Sequence, residues 1–95
     1  MYLKIHHVSG SRDIVAACDS DLLNTTICDG DIEIFISDKF YGTEEFPEDK
    51  LREALSKDCS ANLIGEKVIE AAIKLGFVER DMCISIGGIP HAQII

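Results

Sequence analysis

The stretch from Asn62 to Gly76, NLIGEKVIEAAIKLG, constrains the fold more than any other part of the chain. Wound at 3.6 residues per turn, its polar residues Glu66, Lys67, Glu70 and Lys74 fall within about 100° of the helical wheel. The remaining positions after Asn62 are apolar or glycine. A polar strip that narrow predicts a helix over 62–75 that is largely buried, lying across a sheet. Asn62 is placed to cap it and Gly76 to end it in the left-handed conformation. Glu70 and Lys74 are spaced for an i,i+4 pair.

The sheet beneath that helix is read from two-residue alternation. Tyr2 to Val8 sets Leu3 and Ile5 against Lys4 and His6, the pattern of a half-buried strand. SGSR, residues 9–12, is a turn, and DIVAAC, residues 13–18, is the return strand of an N-terminal hairpin. Asp19 or Ser20 caps a single helical turn through Leu22 and Leu23. Asp29-Gly30 is a strong turn signal, and DIEIFIS follows with Ile32, Ile34 and Ile36 on one face. Pro47 suits the first position of a short amphipathic helix running to about Lys57, buried through Leu51, Ala54 and Leu55. Met82, Ile84 and Ile86 alternate with Cys83 and Ser85. Gly87-Gly88 and Pro90 then force a bend before a second extended piece, HAQII, with Pro90 marking an edge position. These readings predict one domain over residues 1–95. Its class is α+β, a two-layer sandwich of a mostly antiparallel sheet (segments 2–8, 13–18, 31–37, 82–86 and 91–95), one main buried helix and one or two short ones.

Charge narrows the partners. Nine Lys and Arg against seventeen Asp and Glu give 9 − 17 = −8 in 95 residues. That balance repels phosphate backbones at long range, and no basic stripe is visible, so direct nucleic-acid contact is disfavoured. No apolar run has the length of a membrane span, and MYLKIHH is too short and polar for a secretory leader; the expectation is a cytoplasmic protein. Cys18, Cys28, Cys59 and Cys83 form no C-x-x-C pair and read as small hydrophobes kept reduced.

Motifs for chemistry are sparse. DSDLLN begins like a calcium loop but lacks the fifth-position oxygen, the turn glycine and the final glutamate. Asp19, Asp21, Asp29 and Asp31 remain a candidate cluster for a divalent ion, with turn and cap roles as the plainer account. His6, His7 and His91 have no zinc spacing with the cysteines. A Cys83–His91 or Cys18–His6 pair is open on sequence alone. Nothing calls for a cofactor. The best surface candidates lie near glycine turns. Ser60 and Asn62 stand at the start of the main helix, whose N–H groups could receive an anion or a carbonyl. Gly88, Pro90, His91 and Gln93 lie at the C-terminal bend, with Lys4 and His6 as neighbours on the hairpin. Phe35, Phe40, Tyr41 and Phe46 are a second candidate. Phe35 faces away from the isoleucines, and the loop 39–46 is expected to cover it.

YLKIHH, IVAACD, GDIEIFIS, FYG, SANLIGEKVIEAAIKLG and ISIGGIPHAQII together resemble a small archaeal family classed as a domain of unknown function. SANLIGE and GGIPHAQ carry most of the likeness. The resemblance implies a two-layer α/β domain in a cytosolic archaeal protein associated with the translation apparatus. It brings no activity, cofactor or catalytic residue. It also leads one to expect a glycine near Asn24, where this chain has DLLNTTI. The functional expectation is a non-catalytic binding module for a protein or ribonucleoprotein partner. An RNA-binding accessory protein and a small enzyme or metal protein are the alternatives.

Overall fold

The computed structural model describes residues 1–95. β1 (Tyr2–His6) and β2 (Asp13–Cys18) form the N-terminal hairpin; β3 (Thr26–Asp29) and β4 (Ile32–Phe35) form a second hairpin. α1 (Asp38–Tyr41) and α2 (Glu48–Leu55) follow, then β5 (Cys59–Ile64), α3 (Glu66–Lys74), β6 (Ile84–Ile86) and β7 (Ile89–Ile94). The main sheet is ordered β1-β2-β5-β7-β6, and its one parallel pair is β2–β5. The class is α+β, as expected. No helix is long and apolar enough to cross a membrane.

Three expectations about the elements are corrected. First, residues 59–64 are a central strand, so the main helix begins at Glu66 and Asn62 caps nothing. The helical wheel continues through Leu63 and Ile64 because a strand buried on both faces is also continuously apolar. Second, residues 31–37 do not join the main sheet. Ile32–Phe35 pairs with Thr26–Asp29, across the Gly30 turn, as a separate ribbon. Third, Pro90 is not on an edge: β7 lies between β5 and β6. It is tolerated because its missing N–H would have faced the Gly65 carbonyl, and that carbonyl already accepts from the Ile69 N–H at 3.0 Å as the first bond of α3.

Gly87 and Gly88, with φ of 56° and 81°, make a two-residue turn that pairs β6 with β7, since Ile86 faces Ile89. A Cβ at Gly87 would collide with the Cys28 carbonyl, so the turn also seats the second hairpin. Asn24 itself takes the left-handed conformation (φ 61°) where the resemblance led to glycine, a conformation that asparagine tolerates.

The sheet has a packed face and a half-covered one. On the first, Leu3, Val15, Ala17, Ala61, Leu63 and Ala92 meet α2 and α3 through Leu51, Leu55, Val68 and Ile69. Each such Leu or Ile contributes about 1.5–3 kcal/mol of burial. On the second, Ala16, Cys18 and Ile64 are roofed by Tyr41, Ile36 and Ile27 from α1 and the second hairpin.

Candidate functional site

Register decides where the candidate residues go. In β5, Cys59, Ala61 and Leu63 point to the helices, so Ser60 and Asn62 point the other way. Pairing carries that face across the sheet, in a row Lys4, Ala16, Asn62, Gln93, with His6, Ile14 and Ser60 in the next row. His91, opposite Ile64, lies on it as well. Six of the eight candidates, Lys4, His6, Ser60, Asn62, His91 and Gln93, therefore share one face of the sheet. Where Tyr41 and the second hairpin stop, this face is open. Gln93 and Lys4 are exposed there, and Ser60, Ile14 and His6 are half-buried.

Gly88 and Pro90 are not brought to it. They line a shallow depression of about 430 Å³ between α3 and β6, with Glu66, Glu70 and Arg80. The expectation that Ser60 and Asn62 flank an anion-binding helix start is also overturned. The start of α3 is occupied by Asp19, which accepts from the N–H groups of Lys67 and Val68 at 3.0 and 2.8 Å. Gly65 is required there, because a Cβ would run into that carboxylate and its φ is 114°. Asp19 opens the 3-10 turn at Ser20–Leu22 without a side-chain bond to it.

At the centre of the face, Asn62 joins three elements. Its Oδ1 accepts from the Tyr41 hydroxyl at 2.9 Å and lies 3.2 Å from Nε2 of His91. With Oδ1 as acceptor, His91 carries its proton on Nε2. Burial lowers the His91 pKa below its usual 6.5, which keeps the ring neutral at pH 7. Burial pushes the Tyr41 phenol up to about 12. Lys4 and His6 work on α1: Lys4 Nζ donates to the Lys39 carbonyl at 3.2 Å, and His6 Nε2 bonds the Phe40 carbonyl at 2.7 Å. Both carbonyls belong to the unpaired end of a one-turn helix. The His6 ring stacks on Phe40 with centroids 5.0 Å apart. Phe40, the Tyr41 hydroxyl and Ile14 complete the surface. Phe40 and Tyr41 come from the second, aromatic candidate group, which the structure joins to the first here; Ile14 was not singled out, because an isoleucine in a strand gives no sign of which face is left open.

Cys18 lies under the roof with its thiol pushed up to about 12, mainly by burial. Neither proposed Cys–His pair forms, since Cys83 Sγ donates to the Glu79 carbonyl and His6 bonds Phe40. No group of three or more His, Cys, Asp or Glu side chains gathers to hold a metal. Asp29 instead accepts from the Gly87 N–H at 3.2 Å. The expected cover over Phe35 is absent: it is 56% exposed on the outer face of the second hairpin.

Residues 6–95 match the family described as "Protein of unknown function (DUF424)". The chain belongs to the DUF424 family. This DUF424 chain is also similar to a solved structure described as an uncharacterized conserved protein from Methanopyrus kandleri, an archaeon, at 29% identity and a TM-score of 0.82. The likeness covers 98% of this chain and 88% of that one. No curated protein matches. The Asp19–Gly65 corner and the Gly87-Gly88 turn both lie within the span matched to DUF424, as does the whole candidate face from His6 onward; Lys4 stands just before it.

Proposed function

We propose that this DUF424 protein is a non-catalytic docking module of the cytoplasm. Its open sheet face, centred on Asn62, receives a protein or ribonucleoprotein partner, in keeping with the association with translation that the resemblance implies. The observation that carries the reading is the gathering of Lys4, His6, Ser60, Asn62, His91 and Gln93 on one half-roofed face. Their hydroxyl, amide and imidazole groups offer hydrogen bonds beside apolar Ile14 and Phe40, the mixture a partner surface uses. Five of the nine cations, Arg12, Lys50, Arg52, Lys74 and Arg80, stand within 4.0 Å of an acid. Lys4, whose ammonium donates to the Lys39 carbonyl, is the cation on the face itself. One such cation favours a protein surface over a long run of phosphates as the contact.

The test is sedimentation of the tagged chain in a native cell extract, with and without nuclease, against Ser60→Glu and Gln93→Glu. These substitutions charge the face without touching the Asn62 bonds. The wild type is expected to travel with a heavy particle and both variants to stay at the top of the gradient. Variants that travel like the wild type overturn the face as the docking site. Release by nuclease alone identifies RNA as the element bound.

A further inference from the structure

The outer edge of the main sheet has room for another strand. β1 is hydrogen-bonded to β2 on its inner side only. Two observations at its start fix which backbone groups face outward. The Phe46 N–H donates to the Met1 carbonyl at 2.8 Å, and Tyr2 is bridged to Glu45 in the antiparallel sense. Met1 therefore points outward, and by alternation so do Leu3 and Ile5, while Tyr2, Lys4 and His6 face β2. The far side of β2 agrees. The Asp19 N–H donates to the Ile64 carbonyl, so the odd-numbered residues of that strand serve β5 and the even-numbered ones serve β1. Ile5 thus directs an N–H and a C=O away from the sheet, and no hydrogen bond in the structure reaches either. They open on a depression of about 340 Å³ lined by Leu3, Lys4, Ile5, Gly42, Phe46 and Lys50, with Asp38 and Glu44 at its rim.

The chain itself shows what this edge accepts. Glu45 and Phe46 lie against Tyr2 and Met1 as one antiparallel step. Toward its N-terminal side the segment stays against β1 as far as Gly42, which packs on Lys4 Cβ and the Leu3 carbonyl; an added Cβ would stand 3.1 and 3.3 Å from them. The segment's backbone bonds stop short of Ile5.

We propose that the β1 edge takes an extended peptide segment of a protein partner, added antiparallel in line with residues 44–46. A donor and an acceptor on one outward residue are matched by an extended backbone; a helix or a nucleic-acid strand offers no such row. The partner residue opposite Ile5 shares its face and meets Ile5, Phe46 and the stem of Lys50, so it is apolar. Its two neighbours project beside Lys4 and His6 and are polar. A second copy of this chain is the weaker occupant, because each copy carries a net charge of −8. The inference stands apart from the open face, since it concerns backbone groups at the edge.

The test pans random short peptides on phage against the full chain, then titrates labelled synthetic copies of the enriched ones by fluorescence anisotropy. Enriched sequences are expected to alternate apolar and polar residues. Methylating the peptide amide that faces Ile5 should weaken binding about two- to tenfold, the loss of one hydrogen bond. Methylating the adjacent amides should leave it unchanged. Exchange of the Ile5 amide should slow in the complex, and Gln93→Glu should have no effect. The proposal is overturned if no peptide is enriched, if both methylation sets are tolerated alike, or if Ile5 exchange does not change. It is also overturned if light scattering shows a dimer that protects Ile5 without peptide. Loss of binding with Gln93→Glu would move the peptide to the open face and overturn the edge alone.

Discussion

Asn62 and His91 meet diagonally across the β5–β7 ladder with Oδ1 and Nε2 3.2 Å apart, and the Tyr41 hydroxyl comes to the same oxygen at 2.9 Å. One amide thus holds α1 to the sheet and fixes the ring of the C-terminal strand. Removing it leaves two polar groups without a partner, one of them on a buried tyrosine. Asn62→Ala is expected to lower stability by about 1–3 kcal/mol, read as a lower urea midpoint at constant slope.

Acid should weaken the fold through His91. Burial sets its folded pKa below the 6.5 of an ordinary histidine, so the unfolded chain binds more protons in the window beneath 6.5. The contribution is full above 6.5 and is lost as pH falls through the folded value. Urea midpoints taken downward from pH 7 are expected to decline, and His91→Gln should flatten that part of the curve.

Base acts through Tyr41 in the opposite sense. Its phenol is raised from 10.0 to about 12 by burial, so its contribution is present below 10 and is lost as pH rises toward 12. Ultraviolet titration should show one tyrosine ionising late, and Tyr41→Phe should remove that step.

The thiols should sort by burial. Cys28 is exposed and Cys83 half-buried, while Cys18 and Cys59 are buried with raised pKa values. A disulfide reagent at about pH 8 is expected to label Cys28 first and Cys83 next. Cys18 and Cys59 should react only on unfolding. Rapid labelling of Cys18 in the folded chain would contradict the roof formed by Tyr41 and the second hairpin.

Gly65 and Asp19 form a coupled pair. Gly65→Ala is expected to cost about 2 kcal/mol or more, from a positive φ together with the clash on the carboxylate. Asp19→Ala should cost about 1–3 kcal/mol by stranding the Lys67 and Val68 N–H groups. In the Asp19→Ala background Gly65→Ala should cost less by about 1 kcal/mol, because the carboxylate is gone and only the residue 19 Cβ, 2.8 Å from the added one, still obstructs.

The alternation from Tyr2, followed by the turn at 9–12 and the apolar run DIVAAC, was enough to read the first hairpin, and the narrow polar strip was enough to read a buried helix. The start of that helix was hidden for a physical reason. Leu63 and Ile64 at the end of CSANLI are buried on opposite faces of the strand, so the helical period runs on through them, and the true cap comes from Asp19, remote in sequence. Ile32 to Ile36 showed a strand but not its partner, since TICD has too little pattern to be seen before pairing. The candidate face emerged although one premise was wrong. Asn62 and the C-terminal segment do lie together, but as neighbouring strands rather than as a helix start beside a tail. Gly88 and Pro90 were grouped with it by nearness in sequence, and a turn and a strand's alternation place them on the other side.

The Asp19 carboxylate reaches its two amides across 48 and 49 residues of chain. A helix of nine residues is too short to persist in water without help at its ends. Residues 66–74 therefore have no stable shape until the N-terminal hairpin has been laid beside the central strand. The molecule should assemble in a single cooperative step, and a fragment beginning at Cys59 should remain a random coil.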